Sequence, residues 1–177
     1  MKKFFLFIWE IVKIVGIALI IVIPIRLFVF QPFSVRGTSM EPNYHDYDYL
    51  IVEEISYKFK EPSRGDVVVL FSPEDPTIRL IKRMIGLPGE SIKVSAGKVW
   101  IKQEGGEYEM LDESKYLPED LKTLGSIEFN LQEDQYFVLG DNREVSHDSR
   151  GFGIVPEEDL IGKSVFRVWS KEYLNGN

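Results

Sequence analysis

The sequence between residues 78 and 89 reads IRLIKRMIGLPG, and this stretch decides the fold. A run rich in isoleucine and other long side chains precedes Gly-Leu-Pro-Gly, which favours a β-strand that ends in a turn. Alternate side chains of a strand point to the same face, so Ile78, Leu80, Lys82 and Met84 lie together. Lys82 is the only polar member of that row. The pattern therefore predicts a strand with a lysine on an apolar face.

Short runs of similar character recur along the chain between glycines and prolines. Strands are predicted at 49–52, 66–71, 78–85, 91–94, 98–101, 135–139 and 163–169. Many short strands joined by turns predict a mainly β fold, an antiparallel and partly closed β-domain. A single helical turn is predicted at 156–160 and a short helix at 117–124. The acidic, weakly periodic residues 103–130 are interpreted as a small insertion.

The N-terminal part is almost entirely apolar from residue 4 to residue 33. A helix that crosses a bilayer needs roughly 20 residues, and 9–28 supplies them with charges only near its ends. Lys2 and Lys3 predict an inside N-terminus. Residues 1–30 are thus interpreted as a cytoplasmic tip and single-pass transmembrane anchor in the cytoplasmic membrane, and residues 31–177 as an extracytoplasmic domain. The alternative, a cleaved signal peptide, is disfavoured by the long apolar run and by the lack of a small-x-small motif after it.

Charge divides the chain in the same place. The first 30 residues carry a net charge of +3 and the rest −10, which gives the total of −7. An acidic domain argues against a nucleic-acid partner, because phosphate binding needs a basic face. The sequence has no cysteine, so disulfides and thiol catalysis are excluded.

Lys82 is a candidate general base. Burial disfavours the charged form, so an apolar face lowers a lysine pKa from its usual value of about 10.4. Taken alone, the row is also compatible with a lysine at a strand edge that reaches solvent. Ser39 is the candidate nucleophile, because the loop between Gly37 and Pro42 suits neither a regular helix nor a central strand.

The third motif is GDNREVSHDSR, residues 140–150. Charges alternate in sign along it, which is typical either of a solvated loop or of a braced loop that holds Ser146 against the lysine amine. His147 and Asp148 suggest a histidine triad or a metal site, but adjacent residues rarely point to one centre. We therefore expect neither a histidine triad nor a metal site.

Together these segments resemble the type I signal peptidases of the prokaryotic, serine-lysine kind, in the family's order from residue 31 to residue 150. Residues 64–69, RGDVVV, match a further strand of that family. The resemblance implies a membrane-bound serine endopeptidase with the β-architecture shared with self-cleaving SOS repressors. It further implies removal of N-terminal signal peptides from exported precursors after small-x-small motifs, through an acyl-enzyme and without a cofactor.

By this resemblance Ser39 is the nucleophile and Lys82 the general base. Ser146 would orient the lysine. The supporting residues would be Asp148 with Arg150, Asp141 with Arg83, and Gly37. The apolar substrate pockets would be formed by Phe33, Val35, Met40, Tyr44, Leu80 and Ile81.

Some positions depart from the family. Gly37 stands where Gram-negative members carry a serine that donates to the oxyanion, so this chain resembles compact Gram-positive members. The oxyanion hole would then use the Ser39 backbone N–H, and its second donor stays open. Asn43 and Glu90 replace a common threonine and aspartate, and neither is expected to touch the proposed chemistry.

The expected partners are exported preproteins and the lipid bilayer, and the chain is expected to be a monomer. Two alternatives stay open. One is a dedicated maturation protease for a single pilus or conjugation substrate. The other is an anchored binding module without catalytic activity.

Overall fold

The computed structural model describes residues 2–28, 30–54, 57 and 60–169. Its N-terminal element is the helix α1 (Lys2–Phe28). The 18 residues from Leu6 to Ile23 form a stretch long and apolar enough to cross a membrane, and none of them is buried against the rest of the protein. An apolar helix that packs on no core needs another apolar environment, which a bilayer supplies. The helix thus fits the anchor predicted from the sequence.

The rest of the described chain is built mainly from short strands. They are β1 (Phe30–Ser34), β2 (Tyr49–Glu53), β3 (Val67–Phe71), β4 (Arg79–Gly86), β5 (Ser91–Ser95), β6 (Lys98–Lys102), β7 (Glu109–Met110), β8 (Ile127–Asn130), β9 (Gln135–Leu139), β10 (Val155–Pro156) and β11 (Leu160–Trp169). A one-turn helix, α2 (Ser149–Phe152), precedes β10, and a 3-10 turn (Glu157–Asp159) precedes β11.

Within the described residues, the strands form two sheets. The larger has the order β1-β2-β11-β3-β4-β9-β10, and the smaller has the order β7-β6-β5-β8. Every pairing is antiparallel. The predicted mainly β, antiparallel fold with one N-terminal apolar helix is confirmed. The strand β4, quoted at the outset, lies in the middle of the larger sheet, between β3 and β9.

The two sheets pack together around β4. The β5–β6 hairpin turns at Ala96-Gly97, both with positive φ, as a two-residue hairpin loop requires. Its inward residues join Ile85 from β4 and Phe137 and Leu139 from β9 in one core cluster. At the end of β4, a Cβ on Gly86 would lie 2.6 Å from Ile92 of β5. Glycine at this position therefore permits the close approach of the two sheets.

One part of the sequence-based assignment needs correction. Residues 117–124 form turns and extended chain, not the predicted helix, because the Thr123 N–H donates to the Gly97 carbonyl of the β5–β6 hairpin over 2.9 Å instead of to a carbonyl four residues earlier. The segment 103–130, interpreted as a small insertion, contributes β7 and β8 to the smaller sheet, and these strands were not predicted. The strands β1 and β10, in addition, were not predicted.

Candidate active site

Lys82 lies on β4, where it is paired with Val68 of β3, and only 2% of its surface is exposed. Its Nζ lies 2.9 Å from Ser39 Oγ, which is hydrogen-bond distance. Burial lowers the pKa of Lys82 to about 8, against opposing contributions from Asp148 and Asp141 and with a supporting one from Arg150. About a tenth of the amine is thus neutral at pH 7, far more than for an ordinary lysine, and this form can accept a proton from the serine hydroxyl.

Ser39 lies in the loop between β1 and β2 and is half-buried. Met40, which follows it, is completely buried and anchors the loop in a core cluster. Gly37 has φ +86°, a conformation that favours glycine, and its N–H donates to Asp46. The sequence predicted a loop that displays the serine, and the surrounding contacts explain why that loop is fixed.

Asn142 holds the serine loop from the other side. Its backbone N–H donates to the Ser39 carbonyl over 3.0 Å, and its side-chain amide donates to the Thr38 carbonyl over 3.1 Å. Neighbouring Gly140 is packed so tightly that a Cβ would overlap the Ser39 carbonyl oxygen and Ser146 Oγ. The motif at residues 140–150 therefore lies directly against the serine loop.

Asp148 is buried and accepts hydrogen bonds from the Gly140 N–H at 3.0 Å and from the Arg150 guanidinium at 2.8 and 2.9 Å. Burial alone would raise the pKa of Asp148, but the hydrogen bonds from Arg150 and Gly140 outweigh it and lower this pKa. The predicted pair of Asp148 and Arg150 is present, and it fixes the backbone next to Ser39.

Ser146 Oγ is buried and lies close enough to Asp148 to contribute to the lowered pKa of that carboxyl, but it makes no hydrogen bond to Lys82. It lies in the same small space as Gly140, beside the Ser39 carbonyl. The expected bond from this hydroxyl to Lys82 is not formed in this arrangement. Its role in orienting the lysine stays a prediction.

Asp141 and Arg83 form the predicted ion pair. Arg83 Nε donates to Asp141 Oδ1 over 2.7 Å, and the second guanidinium nitrogen donates to Oδ2. Asp141 is completely buried. Asn43, which was not expected to touch the chemistry, donates to the same carboxylate over 2.8 Å and so contacts one of the proposed supporting residues. The sequence could not show this contact, because the two residues are 98 positions apart.

Arg143 is a further buried residue whose role sequence reasoning missed. Its guanidinium donates to Glu113 over 2.6 and 3.0 Å and to Thr123 Oγ1 over 2.5 Å, and its Nε donates to the Gly140 carbonyl over 2.9 Å. Glu113 and Thr123 belong to the insertion. The alternating charges of residues 141–150 were the available signal, but they did not identify the partner.

The predicted substrate-pocket residues lie mostly in one place. Val35, Met40 and Ile81 are buried members of a single cluster, against which Phe33 and Tyr44 pack while half-exposed. Leu80 instead packs against a different core cluster. The three buried residues pack in the core cluster that anchors the serine loop through Met40, and the partly exposed ones have surface available for contact.

His147 does not join this site. Its Nε2 lies 2.8 Å from Glu74, its ring packs edge-on against Phe152, and the pair with Glu74 is solvent-exposed. Within the described part of the chain, no cluster of three or more histidine, aspartate and glutamate side chains is arranged to hold a metal ion.

Comparison with known proteins shows to which family the chain belongs. The family model described as signal peptidase, peptidase S26, matches residues 8–169. A probable signal peptidase I-2 of Synechocystis is 39% identical over 166 residues, which cover 90% of this chain and 72% of that relative. Signal peptidase I of Bacillus licheniformis is 34% identical over 169 residues, covering 93% and 89%. A crystal structure of a signal peptidase I from Enterococcus faecalis is 29% identical and covers 60% of this chain and 98% of that one, with a TM-score of 0.49.

Proposed function

Because this chain belongs to the signal peptidase family, peptidase S26, we propose that Ser39 is its nucleophile and Lys82 its general base. The membership confirms the resemblance drawn from the sequence motifs. The chain is thus a signal peptidase I, a membrane peptidase that removes signal peptides from exported proteins. The proposal concerns which of its residues carry out that reaction, and how.

The observation that carries the proposal is the 2.9 Å separation of Lys82 Nζ and Ser39 Oγ, with the lysine buried and its pKa lowered to about 8. In the first step the neutral amine takes the hydroxyl proton while Oγ attacks the scissile carbonyl. The lysine then gives this proton to the leaving amine, and an acyl-enzyme remains. In the second step the same amine takes a proton from a water molecule, whose oxygen attacks the ester carbonyl, and the lysine returns this proton to Ser39 Oγ as the acyl–oxygen bond breaks.

Four further residues support this pair in the proposed mechanism. Asp148 and Arg150 hold the backbone at Gly140, and Asp141 and Arg83 join that loop to β4. These contacts are remote from the proton being transferred but fix the two reacting groups relative to each other. Positioning of this kind is a major contribution to catalysis, because it removes the entropy cost of bringing the groups together.

The substrates would be preproteins whose cleavage site follows a small-x-small motif, as expected from the sequence. Phe33, Tyr44 and Leu80 are half-exposed apolar side chains near the serine loop and β4, and suit small apolar substrate residues. The proposed topology places the N-terminus inside the cell and the β-domain outside, since Lys2 and Lys3 precede the apolar helix.

Exposed apolar side chains support a location of this domain at the bilayer surface. Tyr49 on β2 and Val165, Phe166 and Val168 on β11 are all exposed, Phe166 to 66%. The strand β2 also pairs with β1, which follows the anchor helix. We refer to these four residues as the β2–β11 patch.

The test is cleavage of a purified precursor with an Ala-x-Ala site, in detergent, by wild type, Ser39→Ala and Lys82→Ala. We expect wild type to cut after the second alanine and both variants to lose at least about a thousandfold in rate. Ser63→Ala and Lys60→Ala, at exposed positions, serve as matched controls and are expected to cut normally. Normal cleavage by Ser39→Ala or by Lys82→Ala would contradict the proposed roles of these two residues. If folded wild type cut only one pilus or conjugation precursor, the dedicated alternative would apply.

A further inference from the structure

Asn43 occupies an unusual place beside the proposed catalytic pair. It follows Ser39 by four positions, is half-buried, and directs its side-chain amide at two acceptors. Nδ2 donates to Asp141 Oδ2 over 2.8 Å and to the Tyr116 carbonyl over 2.7 Å. An amide nitrogen has two hydrogens, and both are used here.

The first acceptor connects the serine loop to the lysine strand. Asp141 also receives the two hydrogen bonds from Arg83, which directly follows Lys82 on β4. One buried carboxylate therefore links the segment after Ser39 to the strand that carries Lys82. A hydrogen bond to a buried charged acceptor is among the stronger contacts in a protein.

The second acceptor connects the serine loop to the insertion. The Tyr116 carbonyl accepts from Asn43, and the Arg83 guanidinium lies 4.1 Å above the centre of the Tyr116 ring. The Asn43 carbonyl, in turn, accepts from Arg167 of β11 over 2.7 Å. Contacts from the Gly140 loop, the insertion and β11 thus converge on this one residue.

We propose that Asn43 is a positioning residue, which holds Ser39 at reacting distance from Lys82 by tying the serine loop to Asp141 and to the Tyr116 carbonyl. This inference rests on the proposed roles of Ser39 and Lys82. Neither a carboxylate nor an aliphatic side chain can replace both hydrogen bonds, and a hydroxyl can donate only one.

Two substitutions test the contacts. Asn43→Asp keeps the shape but replaces the amide donor with a carboxyl group, and Asn43→Ala removes both donors. A displacement of about 1 Å costs on the order of a hundredfold in rate. In the full-length protein in detergent, with the Ala-x-Ala precursor, we expect kcat to fall about tenfold for Asn43→Ala and about a hundredfold for Asn43→Asp. KM should stay within about twofold, which a general loss of structure would not produce.

The pH profile separates a loss of positioning from a change in the base. In Asn43→Asp the new carboxyl replaces an amide nitrogen that lies 2.8 Å from buried Asp141, and two carboxyl groups this close share a proton. We therefore expect kcat to fall in Asn43→Ala while the acid limb of the kcat/KM profile stays at the wild-type pH. Asn130→Asp, an exposed change of the same kind on β8, is the matched control and should leave both kcat and the limb unchanged.

All rates are measured well below the lowest Tm in the set, so that loss of folded protein does not mimic loss of positioning. The inference is overturned if Asn43→Ala and Asn43→Asp keep kcat within twofold of wild type. It is also overturned if the variants raise KM as strongly as they lower kcat. Wild type that cuts no precursor would overturn the proposed function and with it this inference, whereas active wild type with unaffected Asn43 variants would overturn the inference alone.

Discussion

Lys82 and Arg83 are adjacent on β4 and both are buried, yet their surroundings differ in the way that catalysis requires. Arg83 is paired with the Asp141 carboxylate, and an arginine stays charged in any case. The hydrogen bond found for Lys82 Nζ in the described structure is to the Ser39 hydroxyl, a neutral group. A carboxylate in that place would keep the lysine protonated, so the neutral partner is what permits Lys82 to act as a base.

The lowered pKa of Lys82 predicts the pH dependence of the reaction. The amine is charged and inactive below its pKa of about 8 and neutral above it. Cleavage measured as kcat/KM should therefore rise about tenfold per pH unit below pH 8 and level off above it. The exposed-site variant Lys60→Ala should give the same curve as wild type. A rate that stayed flat from about pH 6 to pH 9 would contradict a lysine base with this pKa.

The proposed catalytic residues could be found from sequence more readily than the residues that hold them. Ser39 and Lys82 stand in recognisable local motifs, and alternation along β4 already placed the lysine on an apolar face. Asn43 gave no such signal, because its function depends on contacts with Asp141 and Tyr116, 98 and 73 positions away. Side-chain bonds between distant loops follow from the fold and leave no periodic pattern in the sequence.

At the scale of elements, the insertion is joined to the catalytic loop through buried polar contacts. Arg143 is 1% exposed and depends on Glu113 and Thr123 to satisfy its guanidinium. Arg150 also donates to the Leu124 carbonyl over 3.2 Å. Residues 103–130 thus support the loop that contacts Ser39, a role that their acidic and irregular sequence did not reveal.

Glu113→Gln tests this support. The substitution keeps the size of the side chain but leaves the buried Arg143 without its charged partner, which should lower the free energy of unfolding by about 1–3 kcal/mol. The measurement is thermal or denaturant unfolding of the full-length protein in detergent. Glu107→Gln, at an exposed position of the same insertion, is the matched control and should change the free energy of unfolding by less than about 0.5 kcal/mol. Equal stability of the two variants would argue against a supporting role.

Long β-branched runs and alternation allowed most of the strands to be predicted. The apolar run of β3 matches a strand that is almost entirely buried, and the alternating residues of β5 and β6 match strands in which every second side chain is buried. The two-residue strands β7 and β10 are too short to show any period, and β1 continues directly from the apolar anchor, which hides its start. Those elements are defined by their partners in the sheet rather than by their own residues.

At the scale of the whole molecule, the β2–β11 patch predicts a difference between cleavage in vesicles and in detergent. Phe166→Glu together with Val168→Glu replaces two exposed apolar side chains with charges. We expect cleavage of a membrane-embedded precursor in lipid vesicles to slow several-fold, because charges are poorly accommodated at an apolar boundary. Cleavage of a short soluble peptide in detergent should be unchanged.

Met110→Glu provides the control for this test, since Met110 is also exposed but lies on β7 of the smaller sheet. The Met110→Glu variant should cleave the membrane-embedded precursor in vesicles at the wild-type rate. Equal slowing by Met110→Glu and by the double variant would indicate a general effect of added charge and would contradict a specific contribution of the patch.

The position of β11 makes the C-terminal part of the described chain matter for the reacting pair. It is the most C-terminal strand that the structure describes, yet it lies between β2 and β3 in the sheet. The loop with Ser39 is attached to β1 and β2, whereas Lys82 belongs to the part formed by β3, β4 and β9. Residues 160–169 therefore add backbone pairing between these two parts to the loop contacts made by Asn142 and Asn43. A chain truncated before residue 160 would lose the backbone pairing that joins the nucleophile's half of the sheet to the base's half.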